Sequence, residues 1–373
     1  MQYGARTATH PGVRRRMLTV VHRPSARPGG FWCHDSVRSP ETLPPAALSL
    51  ARRQEQLIDS QQLQACGVNR SRISRNVGYG TLRRVGHGIY DLIAVPPEQR
   101  TMDPDPERND LHQHRRRRGA WLGLLRYGPR AVAVGQTALL LHGVEGLPVE
   151  PRVEVSRQDR RERTSFEGVT LRRYVSFRHV ADVGGRRVAP IQLALAQAVP
   201  TLERREAVAV HDSALHRRLV NAVTLREAHD LARGRRGVER THPWWDLTDG
   251  RAESPAETWA RLSCLDAGAP PDALQHLFYR RDGSVAARVD LAWHLPDGHW
   301  FICEIDGRTA HESPQALLRD RRRQNELVAA GHRVVRFTGA DAYRDLPGAA
   351  IRAHLQRLGW VPGGRIPPVS WLD

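Results

Sequence analysis

The sequence predicts an α/β protein of several domains. Three observations carry that expectation. At 373 residues the chain exceeds what one ordinary hydrophobic core organises. Two stretches dense in proline, glycine and charge, residues 96–110 and 233–255, read as linkers between folded pieces. Within those pieces apolar residues recur at helical spacing in some segments and alternate at strand spacing in others. No repeat of fixed period is visible.

The composition, 40% hydrophobic and 26% charged, is that of a globular chain in water. No apolar run approaches the ~20 residues of a membrane-crossing helix, so no membrane partner is expected. The formal net charge of +17 points to a polyanionic partner, nucleic acid foremost, because basic side chains near phosphates release counterions without reading any base. All 57 basic residues are arginine and none is lysine, so a GC-rich coding bias feeds the same excess. Cys33, Cys66, Cys264 and Cys303 stand far apart with no C-x-x-C pair. That argues against a zinc knuckle or a disulfide framework and fits a reducing cytoplasm.

Residues 1–45 are rich in Pro, Gly, Ser and Arg without hydrophobic periodicity, and are expected to be a disordered basic arm. The first folded piece spans 50–95. Leu57 and Ile58, then Leu63, suit a short helix and the start of a second. Gly67 makes a tight turn, and Asn69 can cap a third helix that carries Ile73 and Val77 inward. This is helix-turn-helix spacing, with Arg70, Arg72 and Arg75 on the outer face where they would meet bases or phosphates in a major groove. "TLRRVGHGIYDL" follows as two short β segments about a glycine turn, a wing setting Arg83 and Arg84 against the DNA backbone. The alternative is a protein-binding winged helix with a solvated arginine face.

The segments "GVNRSRISR" and "LRRVGHGIY" resemble the N-terminal winged-helix domain of AbiEi-type antitoxins of abortive-infection toxin-antitoxin systems, over about 40 residues. The resemblance implies DNA binding and leaves room for a cognate toxin protein as partner. The second piece, 115–232, is expected to be a central α+β domain. Its "TALLLHG" is similar to a segment of the same antitoxin family, and "PIQLALAQAV" and "REAVAVHDSAL" read as amphipathic helices with Leu193, Leu195, Ala198 and Val208 in a core. No catalytic constellation is visible there; His142 reads as a capping or satisfied core histidine rather than a ligand. "HQHRRRRG", residues 112–119, reads as the solvated start of a basic helix, and would also suit a phosphate backbone.

The third piece, 250–362, carries the chemistry. Ser254, Pro255 and Glu257 form a capping-box signature for a helix start. Three strand-like runs follow, separated by Asp282-Gly283 and Asp297-Gly298, dipeptides suited to tight hairpins. In the second run Val289 and Leu291 are expected on one face, opposite Arg288, Asp290 and Ala292; in the third, Glu304 and Asp306 alternate with Cys303 and Ile305. Asp290 and Glu304 are then expected to meet across neighbouring strands. Two carboxylates a few ångströms apart repel and resist desolvation, and a divalent cation, Mg²⁺ or Mn²⁺, would offset that.

The blocks "SPAE", "RVDLAW", "EIDGRTAH" and "DRRRQNELVAAGHRVVRF", at 253–340, resemble the Vsr-like endonuclease domain of the PD-(D/E)XK nucleases, over about a quarter of the chain. The resemblance implies a restriction-endonuclease-like α/β sheet core and metal-dependent cleavage of DNA phosphodiesters. Asp290 and Glu304 match the metal-binding acids, and Glu257 matches an acid reaching the cleft from the first helix, although it is also accounted for by capping alone. Asp306 stands where the superfamily has a lysine, as a third metal ligand, a proton acceptor or simply a turn residue. His311 is the substitute acid or base, and Arg323, three residues after Asp320, offers the missing positive charge. "HRVVRF" is expected to be a buried fourth strand with Arg336 at the cleft end. Two other functions share these residues: an antitoxin-like regulator whose nuclease fold is inactive, and an RNA-directed nuclease.

Overall fold

The computed structural model describes residues 42–92, 111–157, 168–173, 180–183, 185–306 and 314–372. The arm up to position 41, the expected linker at 96–110 and His311 lie outside them. The fold is mixed α/β, three sheets with helices packed against them. Among the described residues no helix is long and apolar enough to cross a membrane, and Cys66, Cys264 and Cys303 are free thiols.

The first sheet is built from α1 (Pro45–Arg53), β1 (Leu57–Asp59), α2 (Ser60–Ala65), α3 (Arg70–Gly78), β2 (Arg83–Gly86) and β3 (Ile89–Asp91), with strand order β1-β3-β2. Leu57 and Ile58 are not helical as expected. Glu55 and Gln56 take φ of 54° and 67°, which ends the helix that begins at Pro45 and turns the chain into a strand antiparallel to β3. Strand alternation then sends Leu57 into the core of the central piece and Ile58 into the core under α1–α3. Two adjacent buried residues serve two cores, a pattern that one turn of helix imitates. The rest follows the expectation: Gly67 turns at φ 82°, Asn69 accepts the Arg72 N–H at 2.9 Å, Ile73 is buried and Val77 half-buried.

The central sheet comes from α4 (Leu111–Tyr127), β4 (Ala131–Ala133), α5 (Gly135–Leu141), β5 (Val153–Arg157), β6 (Val169–Arg172), β7 (Ala181–Val183) and β8 (Arg186–Val188), and α6 (Ile191–Ala198), α7 (Arg204–His216) and α8 (Ala222–Ala232) follow it. Its strand order is β6-β5-β4-β8-β7. Leu195, Ala198 and Val208 are buried as expected, and the His142 ring bonds the Ala189 carbonyl at 2.8 Å. The basic run at the start of α4 is not a solvated face. His114 and Arg117 both meet the Glu55 carboxylate at 2.7 Å, Arg118 meets Asp91 at 2.9 Å, and Arg186 meets Asp59 at 3.0 Å. Glu55 and Asp91 are buried at 2% and 0% exposure, and a buried carboxylate requires a paired cation. These pairs bind the first sheet to the central one.

The stretch 233–255, expected as a linker, instead contains α9 (His242–Trp245), whose Trp245 is buried and stacked on His229 at 4.7 Å between ring centroids. A stacked Trp–His ring pair outweighs the local glycine and charge. Then come α10 (Pro255–Asp266), β9 (Ala273–Tyr279), β10 (Val285–His294), β11 (Trp300–Asp306), α11 (Pro314–Ala329), β12 (Arg333–Thr338), α12 (Gly339–Tyr343), α13 (Leu346–Arg357) and β13 (Ser370–Trp371). The sheet order is β12-β11-β10-β9-β13, with β9, β10 and β11 an antiparallel meander and β12 parallel to β11. Gly283 and Gly298, at φ 80° and 85°, close the two hairpins. β12 is an edge strand and only half-buried, not the buried strand expected, because among the described residues no further strand pairs beyond it. One face of this sheet packs Leu291, Trp293 and Cys303 with Ala260 and Ile351 of α10 and α13; Val289, Ala292 and Ile302 pack with Leu327 of α11.

Candidate active site

Ser254 caps α10 and fixes Glu257 in its first turn. The Ser254 hydroxyl donates to the Glu257 carboxylate at 2.8 Å and accepts the Glu257 N–H at 3.3 Å. The same carboxylate accepts the Glu253 N–H at 2.9 Å. Capping explains only part of Glu257, because its Oε2 also accepts the Gln275 side-chain amide at 2.9 Å. That amide donates as well to Asp290 Oδ1 at 3.2 Å, so one NH₂ group joins a helix carboxylate to a strand carboxylate.

Gln275 sits in β9 with φ 50°, a left-handed conformation that non-glycine residues rarely adopt. In the β9–β10 register its place falls between Leu274↔Leu291 and His276↔Val289, which is where Asp290 lies. The apolar pattern of β10 changes cluster at the same place. Val289 and Leu291, expected to share a face, pack into different clusters on either side of Asp290. A local irregularity in β9, at the left-handed Gln275, accompanies this break in alternation.

On the other side of Asp290 the β10–β11 ladder runs from His294↔Trp300 to Leu291↔Cys303. One step beyond it stand Asp290 and Glu304. There the Asp290 Oδ2 accepts the Ile305 N–H at 2.8 Å, a side chain replacing a strand's carbonyl. Glu304 is 7% exposed and lies 3.5 Å from the Arg323 guanidinium. Arg323 also donates to Asp320 at 2.7 Å and to the Arg288 carbonyl at 3.1 Å. Arg336, beside Glu304 in the β11–β12 ladder, reaches Asp320 at 2.8 Å and Asp306 at 3.4 Å.

The electrostatics follow from this placement. Burial, reinforced by the Asp290 charge, raises the carboxyl pKa of Glu257. Burial raises Asp290 against the pull of its Ile305 and Gln275 bonds. Burial pushes Glu304 up to about 7, opposed by Arg323 and assisted by Asp290. Asp320, by contrast, is lowered chiefly by its bond to Arg336. Negative charge is therefore crowded on Glu257, Asp290 and Glu304 and well compensated at Asp320.

Of the residues named from sequence, Glu257, Asp290, Glu304, Asp320 and Arg323 come together. Asp306 does not join Asp290 and Glu304 as a third ligand. Its carboxylate pairs with Arg336, and among the described residues no group of three or more His, Cys, Asp or Glu is placed to hold a metal ion. The donor set that remains, two carboxylates with raised pKa and oxygen atoms only, suits a hard cation completed by water. Gln275 was missed; a polar residue amid the strand pattern "ALQHLFY" was its one signal.

In the first sheet, Arg70 and Arg84 line a shallow groove between α3 and the β2–β3 hairpin, together with Gln64, Ser74 and His87. Arg75 is exposed on α3. Arg72 departs from the expected outer face: it is half-buried and donates to the Thr42 carbonyl at 2.6 Å. Arg83 also turns inward, 3.2 Å from the buried Asp91.

Two proteins of Mycobacterium tuberculosis are similar to this chain: the Uncharacterized protein MT2308 of strain CDC 1551 / Oshkosh and the Uncharacterized protein Rv2248 of strain ATCC 25618 / H37Rv. Each is 32% identical over 241 residues, covering 62% of this chain and 83% of the relative. No protein-family model matches the chain.

Proposed function

The chain belongs to the family of the uncharacterized mycobacterial proteins MT2308 and Rv2248, and for it we propose a metal-dependent DNA endonuclease of Vsr-like PD-(D/E)XK type, acting in the cytoplasm and carried to DNA by an AbiEi-like winged helix. The observation that carries this reading is the meeting of half-buried Glu257 and Asp290 with buried Glu304 in one acidic cluster beside Arg323, with Glu304 raised to about 7. Helix, strand and strand each contribute one acid in the order that the nuclease resemblance implies. The winged-helix part rests on the α2–turn–α3 arrangement, the β2–β3 hairpin and the groove bearing Arg70 and Arg84.

Asp290 and Glu304 would hold Mg²⁺ or Mn²⁺. The bound ion would supply charge for the phosphate and a water of lowered pKa. The chain's own groups do the rest. Gln275 fixes the Asp290 carboxylate relative to Glu257, and Glu304 lies 3.5 Å from the Arg323 guanidinium. The Arg323 guanidinium, held by Asp320, presents at the acidic cluster the positive charge that the superfamily's lysine position, here Asp306, lacks. Glu257, whose carboxyl pKa burial and the Asp290 charge raise, holds a proton more tightly than an ordinary glutamate and is placed to pass one at the cluster.

A nicking assay on supercoiled plasmid tests the reading, with Mg²⁺ or Mn²⁺ against EDTA. Metal-dependent nicking should fall at least ~100-fold in Asp290→Asn and Glu304→Gln, as for groups acting on the transition state. Salt-sensitive DNA binding without cleavage by the wild type would transfer the case to an antitoxin-like regulator. Cleavage of RNA in preference to DNA would make the substrate RNA.

A further inference from the structure

The groove between α3 and the hairpin does not end at the first sheet. A second groove adjoins it, and the two share Ser60, His87 and Gly88 as lining. From Gly88 the second groove runs onto the central piece, along the end of α4 and the turn that follows it, where Arg126, Arg130 and Arg157 line it. Arg126 and Arg130 are exposed on either side of the Tyr127–Pro129 turn. Arg157 braces that turn by donating to the Tyr127 carbonyl at 3.0 Å, and Gly128 takes φ 80° within it. Five arginines and His87 thus line the joined grooves. The acid lining them among the described residues, Asp59, is engaged: its carboxylate accepts the Gln62 N–H at 2.8 Å and meets Arg186 at 3.0 Å. Gly88, without a side chain, leaves the junction of the two grooves open; a Cβ there would lie 3.1 Å from the Ser60 hydroxyl.

The two halves of this surface are held in register. Glu55 is clasped by His114 and Arg117, and Asp91 by Arg118, all from α4, the helix whose far end carries Arg126. A run of cations on one rigid path, with its acid neutralised, matches a polyanion of regular charge spacing.

Resting on the DNA-binding reading of the winged helix above, we infer that the duplex-contact surface extends from α3 across Gly88 onto the central piece, so that Arg126 and Arg130 contact DNA phosphates adjoining those contacted by Arg70 and Arg84. The central piece is then part of the DNA interface, and the protein covers more backbone than the winged helix alone reaches.

The test is the salt dependence of the full-length chain's affinity for a random-sequence 30-bp duplex, from fluorescence anisotropy between 50 and 300 mM NaCl. Each phosphate contact contributes about 0.9 to the slope of log K against log salt. Arg126→Gln/Arg130→Gln should therefore lower the slope by about 1.8, and Arg70→Gln/Arg84→Gln by a similar amount. If the first pair leaves the slope unchanged while the second lowers it, the extension is overturned and the winged-helix reading stands. If neither pair changes it, both fall. Arg130→Gln alone, with an expected drop of about 0.9, replaces the double variant should that one melt early. Displacement of the duplex by single-stranded RNA at equal nucleotide concentration would also overturn the assignment to duplex DNA.

Discussion

Glu304→Gln should make the fold more stable at pH 8 and leave it unchanged at pH 4. In the folded chain burial raises the Glu304 carboxyl from 4.5 to about 7. Below pH 4.5 the group is protonated both folded and unfolded and contributes nothing. Between 4.5 and 7 the folded state holds a proton that the unfolded state has lost, so the wild type loses stability as pH rises. Above 7 the full penalty applies. At about 1.4 kcal/mol per pK unit the shift corresponds to roughly 3 kcal/mol, and the 9% exposure of the side chain and relaxation around Arg323 reduce the expectation to ~2 kcal/mol. Urea unfolding of wild type and variant without divalent ions, at half-unit steps from pH 4 to pH 8.5, reads the difference directly. The gap should open from zero near pH 4.5 to ~2 kcal/mol at pH 8. A gap independent of pH, or a variant less stable at pH 8, would refute the claim that Glu304 is a destabilised carboxylate.

Three further outcomes follow from other contacts. Glu55→Gln removes the charge that His114 and Arg117 clasp and should cost about 2–4 kcal/mol in urea unfolding; a change under ~0.5 kcal/mol would mean the pairs do not bind the first sheet to the central one. Gly348→Ala places a Cβ against the Ser263 carbonyl oxygen, forcing α13 away from α10, and should lower stability by about 1–3 kcal/mol, whereas an unchanged Tm would contradict the close approach. His211, fully buried and lowered to about 3 by that burial, binds a proton more weakly folded than unfolded, so acid favours unfolding between pH 6.5 and 3. His211→Gln should flatten the loss of stability below pH 6.5 by ~1.4 kcal/mol per pH unit, and an unaltered acid limb would show that the ring is not held neutral.

Where one residue type has one physical use, the sequence was a good guide. Asp282-Gly283 and Asp297-Gly298 require positive φ and close hairpins; Ser254 and Glu257 sit as cap and third residue; an aspartate and a glutamate amid apolar alternation came to neighbouring positions on paired strands. Legibility failed where tertiary partners decide. Leu57 and Ile58 bury opposite faces of one strand in two cores, which in one dimension looks like a helix turn. The basic start of α4 looks solvated until Glu55 and Asp91 are known to lie opposite it. Val289 and Leu291 part at Asp290, alongside the left-handed Gln275, and no period-two reading anticipates that break. Gln275 itself carries no motif; only the contact with two carboxylates marks it. The Asp306 pairing with Arg336, 30 residues later on another strand, has no signal in the sequence.

The central claim is that Asp290 and Glu304 together grip one divalent cation. Isothermal titration of the full-length protein with Mn²⁺ at pH 8 tests it most directly. One site is expected in the wild type and none in Asp290→Asn or in Glu304→Gln, each variant folded by circular dichroism. Binding undiminished in either variant, or no binding by the wild type, would contradict it.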